Sequence, residues 1–120
     1  MFKCMALLKK RSDISRDQFI AYYQNNHSVL IRKLLPGIID YRSNFLDMEG
    51  AFLFPDAAPI DFDVITELWF EDRAAYDRFI AASADPDIAR QIAEDEEHLF
   101  ERGASRMLVV DERQWTGPQA

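Results

Sequence analysis

The chain has 120 residues, 48% hydrophobic and 12% aromatic, and a formal net charge of −7, with eight Lys/Arg against six Asp/Glu in residues 1–60 and six against fifteen in residues 61–120. This is material for one domain, assigned to residues 1–113 with a C-terminal tail at 114–120, and an acidic chain with no basic stripe or amphipathic basic helix is a poor partner for nucleic acid or a membrane surface. No apolar run approaches the roughly 18 residues of a membrane span, and a lone cysteine, Cys4, with no secretory leader pattern leaves a reducing cytoplasm as the expected compartment.

Phe2 to Lys9 is apolar on both alternating faces, which predicts a central strand covered on both sides. Ser15-Arg-Asp-Gln18 then reads as a capping box, with Ile14 and Phe19 placed as a hydrophobic staple. The helix it starts runs to about Leu34, where Pro36-Gly37 ends it. Its apolar stripe is read as Phe19, Tyr23, Leu30 and Leu34. His27, four residues after Tyr23 and three before Leu30, points inward with that stripe.

Ile39 to Asp47 alternates as a strand with one wetter face. Residues 48–61 form a long loop whose Ala51-Phe-Leu-Phe54 is too apolar for free solvent, so it reads as a lid or a partner contact. Asp63 to Phe70 is the clearest strand. Asp72 caps the next helix, with Tyr76, Phe79 and Ile80 inward. Asp85-Pro86 breaks that helix and restarts it, and Ile88, Ile92 and Leu99 carry the second stripe. Met107 to Asp111 is a last short strand.

The order β-α-β-β-α-β, with right-handed crossovers, predicts an α+β ferredoxin-like sandwich: a four-stranded antiparallel sheet with helices on one face. The strands are apolar on both faces, so the second face needs cover. A homodimer packing sheet to sheet, which makes an α+β barrel, is the expected solution.

Candidate chemistry centres on His27, whose imidazole titrates near neutral pH and is aimed into an apolar space. Its alternative is a core histidine bonded to a backbone carbonyl. Tyr23, one turn away, is either a core aromatic or a donor to a developing oxyanion, and Tyr22 and Tyr41 are further phenol donors. Glu67 shares a strand face with Ile65 and Trp69. It reads as a structural ion pair with Arg42 or Lys3, or as an orienter of substrate or of His27. Asn44 is either solvated or holds a substrate oxygen, and Trp69 is core or pocket wall. Glu96 falls inside the second helix's stripe, an odd place for a charge, facing either a pocket or an arginine. His98, on the flank, reads as solvated. Two histidines and one cysteine at no ligand-like spacing argue against a metal site, and four isolated glycines make no phosphate loop.

His27, Leu35-Pro36-Gly37, Tyr41-Arg-Ser-Asn44, Asp63-Val-Ile-Thr-Glu67-Leu-Trp69-Phe70 and the acidic run before Phe100 resemble the EthD family of dimeric α+β barrel proteins across roughly residues 2–112. The resemblance implies a pocket between helices and sheet, free of metal and cofactor and lined by the first-helix histidine, here His27. It implies a cofactor-independent lyase or isomerase acting on an aromatic, polyketide-like or lactone metabolite, by decarboxylation, dehydration, cyclisation or isomerisation. The alternative it implies is a metabolite-binding or accessory protein of an oxidative degradation pathway.

Overall fold

The computed structural model describes residues 1–117; the end of the tail, 118–120, lies outside the described residues. Strands β1 (Phe2–Leu8), β2 (Asp40–Phe45), β3 (Val64–Phe70) and β4 (Arg106–Val110) form one antiparallel sheet in the order β2-β3-β1-β4. The two strands most apolar on both faces, β1 and β3, take the centre, as their composition requires. Helices α1 (Arg16–Tyr22) and α2 (Ser28–Leu34), joined by a π-helical turn over Tyr23–His27, make the first crossover, and α3 (Arg73–Ser83) and α4 (Pro86–Glu97) make the second. This is the ferredoxin-like arrangement.

The capping signals act as read. The Ser15 hydroxyl accepts from the Gln18 amide at 3.1 Å, and the Gln18 side chain accepts from the Ser15 amide at 2.9 Å. Asp72 caps α3 through the Ala75 amide at 2.8 Å, and Asp85 caps α4 through the Ile88 amide at 3.1 Å with Pro86 next to it. Each such cap is worth about 1 kcal/mol. Gly37 takes φ +88°, a left-handed turn that a side chain disfavours, and so frees the chain to enter β2.

Two details differ from the sequence reading. The first crossover buries Phe19, Tyr23, His27, Ile31 and Leu35, whereas Leu30 and Leu34, expected in the stripe, are half-buried. In a regular α-helix each step of four residues drifts by about 40° around the axis, so Phe19 and Ile31 would sit about 120° apart. The wider π turn absorbs that drift and holds His27 on the buried line, an arrangement often found at functional sites. Second, Ile80 is not packed inward; it is 41% exposed, at the mouth of a cavity.

The sheet's two faces separate cleanly. Cys4, Ala6 and Leu8 of β1, Tyr41, Ser43 and Phe45 of β2, and Val64, Thr66, Leu68 and Phe70 of β3 face the helices, by their register across the strands. The intervening residues, among them Lys3, Met5, Leu7, Ile65, Glu67, Trp69, Leu108 and Val110, form the face without helices. The 48–61 loop lines no part of the helix-side cavity. Phe52 and Phe54 pack edge-to-face on each other at 5.2 Å and are 80% and 73% exposed.

Candidate functional site

Between the first crossover, α3, α4 and the sheet lies a cavity of about 260 Å³. Its walls are mainly apolar: Ala6, Leu8, Ile31, Leu35, Leu68, Phe79, Ile92 and Met107 among them. Its polar groups are few: His27, Tyr23, Tyr41, Thr66, Ser83 and Glu96. An apolar chamber with a small set of convergent polar groups is the usual form of a small-molecule site.

His27 is 4% exposed, and its Nδ1 lies 2.5 Å from Oδ2 of Asp95, itself 8% exposed. Nδ1–H donating to the carboxylate fixes the tautomer and leaves Nε2 as the nitrogen available to the cavity that the ring lines. Flanking rings hold the imidazole in place: Phe100 edge-on at 5.1 Å and Tyr23 tilted at 4.9 Å. The backbone closes the site from below. The Arg11 amide donates to the Leu99 carbonyl at 2.8 Å and the Glu101 amide to the Lys9 carbonyl at 2.9 Å, tying the end of α4 to the end of β1 and so bringing Asp95 and Phe100 against His27.

On the sheet side the Tyr23 hydroxyl bonds to the Tyr41 hydroxyl at 2.9 Å and to Thr66 Oγ1. Burial, reinforced by the Tyr23 phenol, pushes Tyr41 far above the ordinary phenol range, so it stays protonated and able to donate. Burial also raises the Glu96 carboxyl, against the opposing charges of His27 and of Arg102, whose Nε is 3.4 Å away. Cys4 is fully buried, and burial pushes its thiol up to about 11, which leaves it inert strand filling, as its place in the sequence suggests.

Of the eight residues singled out from sequence, His27, Tyr23, Tyr41 and Glu96 meet in this cavity. Glu67, Asn44 and Trp69 do not. Their register puts them on the helix-free face, where Glu67 pairs with Lys3 Nζ at 2.7 Å, Asn44 Nδ2 donates to Glu67 at 3.1 Å, and Trp69 lies 4.4 Å under the Lys3 ammonium. Glu67 as a companion of His27 is therefore corrected: the sheet separates them, and the ion pair with Lys3 is the reading the geometry supports. Arg42, its other expected partner, pairs instead with Asp40 at 2.8 Å. Tyr22 lies behind the site, in an outer groove. The residue sequence reasoning missed is Asp95. The run Glu94-Asp-Glu-Glu97 offers four adjacent carboxylates, and only the rotation of α4 against α2 selects which one reaches the imidazole.

Among the described residues no group of three or more His, Cys, Asp or Glu is placed to hold a metal ion, and no helix is long and apolar enough to cross a membrane. Fold and cavity together define a ferredoxin-like α+β protein with a mainly apolar cavity between helices and sheet. The EthD domain model matches residues 11–103, and the chain belongs to that family. No curated protein matches it. Solved structures share its fold at low identity. An EthD family protein from Bacillus halodurans is 16% identical over 94% of this chain and 100% of that one, with a TM-score of 0.60. HapK from Hahella chejuensis is 16% identical over 100% and 99%, at 0.60. SnoaB, a cofactor-independent oxygenase from Streptomyces nogalater, is 13% identical over 98% and 97%, at 0.53.

Proposed function

We propose that the chain is a small-molecule enzyme of the lyase or isomerase type, working in the cytoplasm without an added cofactor on an aromatic, polyketide-like or lactone substrate. The observation that carries this is the buried His27–Asp95 pair opening onto the apolar cavity. His27 Nε2 takes a proton from a carbon next to a carbonyl, and Asp95 stabilises the imidazolium that forms. Tyr41, kept protonated by burial, donates to the developing enolate oxygen, and Tyr23, itself bonded to Thr66, holds that phenol in place. Glu96, whose neutral form burial favours, is the second proton carrier. Return of the proton to a different atom gives isomerisation. Departure of a hydroxyl with a proton from Glu96 gives dehydration. For a β-keto acid the enolate arises instead by loss of carbon dioxide, and the proton is then delivered to carbon.

The test is turnover of enol lactones, aromatic β-keto acids and cyclic polyketones in D2O, by the wild type and by His27→Ala. A loss of about 10²- to 10⁴-fold with fold and ligand binding retained is the expected outcome. The mostly apolar lining favours a second reading, a chamber that holds a metabolite for an oxidative degradation pathway. Binding of these compounds without turnover by the wild type would select it.

The same proposal includes a homodimer. Met5, Leu7, Ile65, Leu108 and Val110 put apolar surface on the face that no helix covers, and Leu108 is 48% exposed. Light scattering at micromolar concentration should give twice the 13.9 kDa chain mass, and a clean monomer would exclude it.

A further inference from the structure

The cavity offers several groups that donate, accept or exchange a proton, but none that carries a fixed positive charge. Among the described residues, no lysine or arginine lines it. The cations nearest to it are turned elsewhere. Arg102 lies 3.4 Å from Glu96, with half of its own side chain in solvent. Arg32, whose charge reaches Tyr41, is exposed and donates to the Ser28 carbonyl at 3.0 Å. Lys3 is on the far face of the sheet, between Glu67 and Glu112. His27 faces the Asp95 carboxylate, so even with an imidazolium the pair is never net positive. The helix dipoles act in the same direction. Ile80 and Ser83 belong to the last turn of α3 and Glu96 to the last turn of α4, so the negative ends of both helices border the cavity. Their positive ends are occupied by the Asp72 and Asp85 caps.

We propose that this cavity selects an uncharged carbonyl compound, a ketone, ester or lactone, and rejects a carboxylate. The inference rests on the reading of the cavity as the substrate site and narrows it: isomerisation and dehydration start from an uncharged substrate, whereas decarboxylation starts from an ionised acid. A carboxylate entering here would give up its water for apolar walls and hydroxyls, with no cation to replace it. Glu96 repels it when ionised and offers no charge when protonated. An ammonium substrate fares little better, because Glu96 already faces Arg102 and the rest of the lining is mainly apolar. A carbonyl oxygen needs only a donor, and Tyr41, whose hydroxyl is linked to that of Tyr23, supplies one. Charge alone sets the size of the effect. A carboxylic acid of pKa about 4 is uncharged in about one molecule in 10³ at pH 7, so an acid that enters only in that form binds up to about 10³-fold more weakly than its neutral analogue.

The experiment is a titration at pH 7 with three probes of one skeleton, β-tetralone and the corresponding tetralin carboxylic acid and aminotetralin, followed by NMR of 13C-labelled isoleucine and methionine methyls. Ile31, Ile80, Ile92 and Met107 report on the cavity, while Met5 and Ile65 report on the opposite face, where Lys3 could attract an anion. The ketone should shift the cavity methyls, and the acid and the amine should need concentrations at least about 10²-fold higher to do so. Ser83→Arg, which puts a cation at the end of α3, should bring the acid to within about tenfold of the ketone. Should that variant fail to fold, Ile80→Arg, at an exposed position of the cavity mouth, makes the same change. Acid or amine shifting the cavity methyls of the wild type as readily as the ketone would overturn the proposal and leave proton transfer by His27 standing. A folded arginine variant with no gain for the acid would also overturn it, because shape and not charge would then be the filter. Cavity methyls unmoved by all three probes would overturn the reading of the cavity as the substrate site, and the proposal with it.

Discussion

The two sides of this sheet treat ionisable groups in opposite ways, one with charges on its own strands and the other with groups carried by the helices packed over it. On the helix-free face Glu67 and Glu112 share the buried Lys3, at 2.7 and 2.6 Å. Burial alone would lower the Lys3 ammonium, but its bonds to Glu112 and Glu67 outweigh that and raise it. The hydrogen bond from Lys3 holds Glu67 below the ordinary carboxylate range. On the helix side Glu96 is pushed up by burial, and Asp95 bonds to an imidazole. One face pairs its charges; the other sets a buried carboxylate–imidazole pair and a carboxyl raised by burial around a mainly apolar cavity. Perturbed groups facing a cavity are a mark of a working site, while fully paired ones mark structure.

The largest expected break in this contrast is His27→Ala, which should lower proton transfer by about 10²- to 10⁴-fold in a chain whose circular dichroism spectrum remains that of the folded protein, although losing the partner of buried Asp95 lowers its melting temperature. Next is Asp95→Asn, which keeps the shape but allows the wrong imidazole tautomer. A loss of about 10²-fold or more in kcat is expected, read by steady-state kinetics beside 15N NMR of the imidazole nitrogens, which reports the tautomer. On the other face the effect should be on stability alone. Lys3→Met leaves Glu67 half-buried with Asn44 as its remaining bonded partner, and should cost about 1–2 kcal/mol in urea denaturation without altering turnover.

The smallest effects are the pH slopes of stability, and they have opposite signs. Glu67 titrates in the folded protein below its ordinary value of 4.5, so its contribution is complete above that value and is lost as pH falls through the depressed one. Glu96 titrates above 4.5, so its contribution is present below that value and is lost as pH rises through the raised one. Glu67→Gln should therefore flatten the stability curve on the acid side of 4.5, and Glu96→Gln on the alkaline side, in denaturation midpoints measured across pH.

The elements and their caps were readable because local chemistry determines them: Ser15 with Gln18, Asp72, and Asp85 with Pro86 each announce a helix start regardless of the rest of the chain. His27 was readable because four-residue spacing from Phe19 and Tyr23 marks it as buried. What was not readable depends on tertiary packing. The π turn moved the later stripe from Leu30 and Leu34 to Ile31 and Leu35, and no local signal announces such a turn. Glu67 stayed open between an ion pair with Lys3 or Arg42 and a place beside His27 because β1 and β3 are apolar on both sides, and a two-residue period does not say which apolar side receives the helices. Asp95 lay beside Glu96 in a run of four acids, where the helical stripe pointed to Glu96 and the crossing of α4 over α2 put its neighbour on the imidazole.

The central claim is that proton chemistry belongs to the helix-side face and to His27 in particular. The most direct measurement is deuterium incorporation from D2O into the product, compared among wild type, His27→Ala and Glu67→Gln on the same substrate. The account predicts incorporation by wild type and Glu67→Gln at matching rates and its loss in His27→Ala. Incorporation that survives in folded His27→Ala, or disappears in folded Glu67→Gln, would contradict it.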